Sequence, residues 1–237
     1  MEIFPDKYRN AIILADKPLD KTSTSIVNIF RKNLKLDKVG HAGTLDPKAT
    51  GLLILCTDAK TKYIEKIMEL EKEYSGVFRI GARTKSFDTE TEEQDFADTS
   101  GISDELIKKS AETLTGEIFQ LPPMFSAVKH KGKPLYKLAR KGKTIERKLR
   151  RVYIKNFEIK KISDTEVWFN VICSKGTYVR TLAEDFGKLL GVGAYLKSLR
   201  RTRIGNYALE DSRSAGKKNV IDLNEDVCGI KYKVISD

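Results

Sequence analysis

Apolar and polar residues change rhythm several times along this chain of 237 residues. Ala11 to Ala15 (AIILA) is a short unbroken apolar run of strand length, ended by Asp16-Lys17-Pro18. Apolar residues return at Ile26, Val27, Ile29 and Phe30, the spacing of one helix face, with Thr22 or Ser23 placed to cap the first turn. Gly51 to Cys56 is a second strand-length apolar run, and Thr61 to Leu70 carries Tyr63, Ile64, Ile67, Met68 and Leu70 at helical spacing. Glu73 to Ile80 (EYSGVFRI) alternates instead, with Tyr74, Gly76, Phe78 and Ile80 on one face and Val77 and Arg79 on the other, which predicts a half-buried strand.

Ser86 to Glu105 has few apolar residues and reads as a mobile loop. Ser103 is a good N-cap, and Asp104 and Glu105 suit the first turn of a helix reaching about Leu114. Pro122-Pro123 opens an extended segment to Lys129, and Pro134 sits where a helix with Leu135, Tyr136, Leu138 and Ala139 on its apolar side could start. Arg151 to Ile162 and Thr165 to Cys173 predict a hairpin turning near Ser163-Asp164, with Val167, Phe169 and Val171 facing one way and Trp168 and Ile172 the other. Gly176 to Leu190 has Val179, Leu182, Ala183, Phe186, Leu189 and Leu190 at helical spacing, and Tyr195 to Ile204 resumes a strand. The chain is weakly patterned from about Asp211. Helices and strands mix without a regular βαβ beat, so the predicted class is α+β rather than doubly wound. The length suits one large domain or two small ones.

Composition adds a partner to this picture. At 40% hydrophobic and 32% charged the chain reads as soluble and globular, and no apolar run reaches transmembrane length. The N-terminus (MEIFPDKYRN) has no apolar core before a cleavage site, so the expected location is cytoplasmic. Cys56, Cys173 and Cys228 are odd in number and far apart, as reduced thiols are, and His41 and His130 lack zinc-ligand spacing, so no metal is expected. The net charge of +11 favours a polyanion. It is unevenly spread: Lys129 to Arg151 holds eleven Lys and Arg against Glu146 alone, whereas Ser86 to Glu105 holds eight acids and no base. A basic face beside an acidic flank suits nucleic acid better than a uniformly basic coat.

The stretch with most chemistry is Val39 to Cys56 (VGHAGTLDPKATGLLILC). Gly40, Gly43 and Pro47 punctuate a loop, and Asp46, directly before Pro47, is biased to an extended backbone. That arrangement is either a turn leading into a strand or a rigid mount for one reactive carboxylate. Tyr74 is a core tyrosine or a platform for a base, and Arg180, in GTYVRTLAEDFG, is a structural arginine or a partner for a carboxylate. His41 is a solvated loop residue or a working one, and Leu199, before Arg200 and Arg201, reads as core.

GHAGTLDPKATGLL resembles the catalytic motif of the bacterial tRNA pseudouridine-55 synthases of TruB type. DKPLDKTSTSIV is similar to that family's N-terminal signature, KEYSGVFRIGARTKSFDTETE to its tyrosine strand and LPPMFSAVKHKGKPLYKLARKG to its RNA-binding insertion. CSKGTYVRTLAEDFG and LRRTRIG complete the set, in order, over about Ala11 to Leu209. The resemblance implies a mixed, mainly antiparallel sheet with flanking helices and a central RNA-binding cleft. It implies a catalytic domain over 1–210, with an insertion at about 124–151, and a tail over 211–237 too short for the PUA-type domain the family commonly carries. Asp46 would be the nucleophile and Arg180 its partner; Tyr74 would stack on the base, Tyr178 and Leu199 would line the pocket, and His41 would enter the loop the base leaves. Lys129, Lys131, Lys133, Lys137, Arg140, Lys141 and Lys143 would hold phosphates of the tRNA T stem-loop. No cofactor is expected, and a monomer is the expected state, on which the sequence itself is silent.

The chemistry suits those residues. The reaction breaks the N1–C1′ bond, turns the uracil and rejoins it through C5, so it needs a tight pocket and one carboxylate rather than redox or metal chemistry. An arginine beside that carboxylate favours its charged form and fixes its angle. Two other readings compete: an RNA-binding or RNA-folding protein without catalysis, which has no need of Asp46, and a metal-dependent RNA hydrolase, which lacks acids and histidines at ligand spacing.

Overall fold

The computed structural model describes residues 6–126, 128–130, 132–209, 223 and 225–235. The chain forms two compact units, Met1–Tyr74 with Leu199–Asp237, and Ser75–Ser198.

The first unit opens with β1 (Ile12–Lys17) and α1 (Ser23–Asn33). Thr22 caps the helix as its sequence position suggests, its Oγ1 accepting the Ser25 amide at 3.0 Å. Ile26 and Phe30 are buried. β3 (Ala49–Thr57) extends beyond the apolar run Gly51 to Cys56, and β2 (Val39–His41) is a short strand where the sequence suggests only a loop. β3 lies antiparallel to β1, with Ile12 opposite Cys56 and Lys17 opposite Gly51. The predicted helix over Thr61 to Leu70 is half realised: Asp58–Tyr63 closes into a 3-10 turn, and only Ile64–Glu69, α2, is α-helical. β4 (Lys72–Ile80) begins here and runs into the second unit.

In the second unit β5 (Arg83–Thr84) pairs with β6 (Glu93–Gln94). The acidic stretch expected to be a mobile loop is held between and beyond them. Ser86 and Asp88 are buried, the Ser86 amide donates to Thr91 Oγ1 at 3.0 Å, and the Glu90 amide donates to Asp88 Oδ1 at 2.9 Å. Short polar side chains replace an apolar core there by bonding their own backbone, a pattern hydropathy does not register. α3 (Asp104–Thr113) starts at Ser103, whose Oγ accepts the Leu106 amide. Next comes β7 (Gly116–Gln120), whose two apolar residues Ile118 and Phe119 give too little pattern to read from sequence, and then a small hairpin of β8 (Lys129–His130) and β9 (Lys133–Pro134). α4 (Leu135–Ala139) follows Pro134 as expected. The predicted hairpin is β10 (Arg150–Lys161) and β11 (Glu166–Cys173). α5 (Val179–Leu190) and the first half of β12 (Ala194–Ile204) complete the unit. Its strands order β4-β11-β10-β7. The Phe78 and Phe169 rings stack at 4.2 Å, and Phe186 of α5 lies 5.6 Å from Phe78, which ties the helix to the sheet.

Back in the first unit, β12 runs parallel to β3, with Leu199 opposite Ala49 and Arg201 opposite Gly51. β13 (Tyr207–Ala208) pairs with it. The weakly patterned tail also contributes structure: β14 (Glu225–Val227) and β15 (Ile230–Ile235) form a hairpin, and β15 pairs antiparallel with β1. Tyr232 is buried there edge-on to Phe30, its hydroxyl 3.2 Å from that of Tyr8. The first unit thus orders β14-β15-β1-β3-β12, and the α+β class with mostly antiparallel strands matches the expectation.

Candidate active site

In the first unit Asp46 sits, half-buried, on the loop between β2 and β3. Local chemistry shapes that loop. Gly43 adopts φ +96°, open to glycine and strained for other residues. Asp46 opens a turn closed by the Ala49 amide donating to its carbonyl at 3.1 Å, with Pro47 at the position whose φ proline presets. Ser23, at the start of α1, braces it, its Oγ accepting the Leu45 amide at 2.9 Å and donating to the Leu45 carbonyl at 3.1 Å.

Two buried cations, neither singled out by the sequence, reach the same loop. Lys17 is 0% exposed and donates to three carbonyls, those of Pro18 at 2.8 Å, Lys21 at 2.7 Å and Pro47 at 3.3 Å. Burial pulls its pKa down to about 8, while the charges of Asp46 and Asp20 pull the other way. Arg201 is 1% exposed; its Nε donates to the Leu52 carbonyl at 2.7 Å and its Nη2 to the Gly43 carbonyl at 3.1 Å. His41 ends β2 opposite Leu55, and its Nδ1 is buried with no hydrogen-bond partner. Burial first, and then the charge of Arg201, holds its imidazole below the usual histidine range. Leu199 is half-buried, in register with Ala49, and its carbonyl accepts from Thr50 Oγ1 at 3.4 Å. Tyr74 is half-buried on β4, next to Glu73, whose carboxylate takes Arg203 of β12 at 3.2 Å.

The remaining predicted site residues lie in the second unit. Tyr178 is the N-cap of α5; its amide donates to Gln120 Oε1 at 2.9 Å, and its carbonyl accepts from Gln120 Nε2 at 3.3 Å. Arg180 is 4% exposed, with Nη2 donating to the Phe125 carbonyl at 2.7 Å and Nη1 to that of Ser86 at 3.3 Å. Its Nε lies 3.6 Å from the buried carboxylate of Asp88. Asp88 was hidden among the eight acids of its stretch, and only its exception to their exposure marks it. Lys133, Lys137, Arg140, Lys141 and Lys143 are all exposed, and Arg140 reaches Glu90 at 2.7 Å. Lys129 belongs to β8, and Lys131 lies outside the described residues. Among the described residues no three His, Cys, Asp or Glu gather as a metal ion would need, and no helix is long and apolar enough to cross a membrane.

The family whose sequence pattern fits this fold is that described as "TruB family pseudouridylate synthase (N terminal domain)", matching residues 31–179. A second, "tRNA pseudouridylate synthase B C-terminal domain", matches 180–224. The chain belongs to the TruB family of pseudouridylate synthases, isomerases that act on tRNA. The chain is similar to tRNA pseudouridine synthase B of Chlorobaculum tepidum, 50% identical over 207 residues, which are 85% of this chain and 86% of the relative. It is 45% identical over 227 residues to the protein of that name from Flavobacterium johnsoniae, covering 92% and 96% of the two chains. Among solved structures, a chain of a Cbf5-Nop10-Gar1 complex matches with TM-score 0.68 and 31% identity over 86% of this chain. A chain of an H/ACA RNP bound to a substrate RNA containing 2′-deoxyuridine matches with TM-score 0.65 and 28% identity, again over 86% of this chain. This chain spans about half the length of each, 51% and 50%.

Proposed function

We propose that this protein converts the uridine at position 55, in the T-loop of tRNA, to pseudouridine, with Asp46 as nucleophile. The observation that supports it most is the mounting of Asp46: a half-buried carboxylate on a turn fixed by Pro47, braced by Ser23 and gripped through backbone carbonyls by Lys17 and Arg201. A carboxylate of no chemical consequence does not call for two buried cations on its loop.

Exposed cations of the 124–151 insertion draw the T stem-loop by its phosphates, a salt-dependent term blind to sequence. The target base leaves its stack at a cost of a few kcal/mol, offset by stacking on Tyr74, while His41 takes the place it vacates. Tyr178 and Leu199 line the pocket. Asp46 attacks covalently while the N1–C1′ bond breaks; the uracil turns, the C5–C1′ bond forms, C5 gives up its proton, N1 gains one, and the carboxylate is released unchanged. Arg180 orients that carboxylate through its planar guanidinium. The protein works as a cytoplasmic monomer without metal or cofactor, so activity on pre-folded tRNA survives excess EDTA.

Asp46→Asn tests the reading. It preserves size but removes the nucleophilic charge, so pseudouridine formation on T-arm RNA is expected to vanish with affinity within a few-fold of wild type. Multiple turnover by a verified Asp46→Asn preparation would refute the role, and a protein that only binds RNA would be indifferent to the change.

A further inference from the structure

Arg201 is the bulkiest fully buried side chain among the described residues, and it takes no part in the bond changes of the reaction. A guanidinium removed from water is costly unless its donors are met by well-placed acceptors. Here the acceptors are backbone carbonyls, Leu52 on β3 and Gly43 on the loop, and among the described residues no carboxylate forms an ion pair with Arg201. The fork therefore ties the loop, three residues before Asp46, to the strand that follows it.

The anchor of that fork is itself immobile. Arg201 lies opposite Gly51 in the parallel pairing of β12 with β3, and a Cβ at Gly51 would stand 2.3 Å from the Arg201 carbonyl oxygen. Gly51 has φ +100°, so both space and conformation require glycine where the strands meet. On the far side of Asp46 the Pro47 carbonyl is held by Lys17. The other acids of this unit near the loop are already engaged: Asp16 by both Nη atoms of Arg200, at 2.8 and 2.9 Å, and Asp20 by Lys48 at 2.8 Å. His41, on β2, is a titratable neighbour that feels the Arg201 charge.

We infer that Arg201 is a positioning residue for the reaction: by holding the Gly43 carbonyl it sets the angle at which Asp46 meets the base. The inference rests on Asp46 being the nucleophile. A phosphate-binding arginine would present its guanidinium to solvent, whereas this one is spent on the loop's backbone. Misplacing a reacting group by an ångström can cost on the order of a hundredfold in rate without touching affinity.

The test compares Arg201→Met, which removes fork and charge, with Arg201→Lys, which keeps the charge alone. Three quantities are measured: the single-turnover rate at saturating protein, the Kd for T-arm RNA, and the titration of His41 by ring-proton NMR. Arg201→Met is expected to lose about a hundredfold in rate, to bind RNA within threefold of wild type, and to titrate His41 at higher pH, because the charge opposing protonation is gone. Arg201→Lys should leave His41 where it is and still lose about tenfold, since an ammonium does not reproduce a two-pronged hold on Leu52 and Gly43. Wild-type rates in the folded variants would overturn the inference. So would a loss confined to Kd, which marks an RNA contact, or equal displacement of His41 in both variants, which marks general loosening. Failure of both to fold would make Arg201 structural and end the proposal. Should Asp46→Asn turn over, the nucleophile reading falls on its own ground, whatever Arg201 does.

Discussion

The cations around the Asp46 loop and those of the basic segment carry the same charge and are put to opposite use. Lys17 and Arg201 are buried and turned onto backbone carbonyls, whereas Lys133, Lys137, Lys141 and Lys143 stand exposed. An exposed ammonium keeps its hydration and is free to meet a phosphate, with an energy that salt screens. A buried one has given up hydration for fixed acceptors, so its value lies in the geometry it imposes. Net charge, which is +11 overall, counts both kinds alike. On the proposed function, this difference separates holding the RNA from placing the reacting group. Arg180 falls with Lys17 and Arg201 by its burial, although the second unit contains it together with the whole basic segment.

The sharpest way to break this division is Arg180→Lys. If Arg180 serves chemistry, the substitution keeps charge but loses the planar fork, and the single-turnover rate should fall on the order of a hundredfold, about 3 kcal/mol, with Kd unchanged. A wild-type rate with weaker binding would place Arg180 with the phosphate contacts instead.

Lys17 offers a test by pH. Its folded pKa of about 8 lies below the ordinary 10.5, so between those values the unfolded chain holds a proton that the folded chain has lost. Stability should therefore rise with pH across that window, by up to about 3 kcal/mol, and Lys17→Met should lack this rise. Urea unfolding of both proteins at pH 7.5 to 10.5 (a range set by about 8 and 10.5) measures the difference. Parallel curves would show that burial leaves the ammonium unperturbed.

The smallest effect per residue belongs to the exposed set. Reversing the charges of Lys133, Lys137, Lys141 and Lys143 should weaken RNA binding and flatten its salt dependence. Each lost phosphate contact should lower the slope of log K against log[salt] by about 0.7 to 0.9. The pre-bound rate should hold. An unchanged slope would put the RNA on another surface.

What could be read in advance follows the range of the forces involved. The Thr22 and Ser103 caps, the turn at Asp46-Pro47 and the hairpin of β10 and β11 each depend on residues a few positions apart, and the chain states them directly. The acidic stretch misled because its buried centre is made of Ser86, Asp88 and Thr91, polar residues whose partners are one another's backbone and hydroxyls. The tail strand β15 was illegible because Tyr232 gains its burial from Phe30 and Tyr8, at the opposite end of the chain.

The sequence by itself determined that Asp46 would stand on a stiff loop before a buried strand, since glycine and proline act on their own backbone. It also determined a basic segment exposed enough to meet a polyanion. Only the tertiary structure decided which cations were buried and turned inward. Arg201 is joined to Gly43 across 158 positions, Arg180 is brought to Asp88, and Lys17 is sealed against Pro47. A lysine or arginine carries the same charge wherever it stands in the chain, and it becomes a fixed point only once strand pairing has taken away its water and supplied its acceptors.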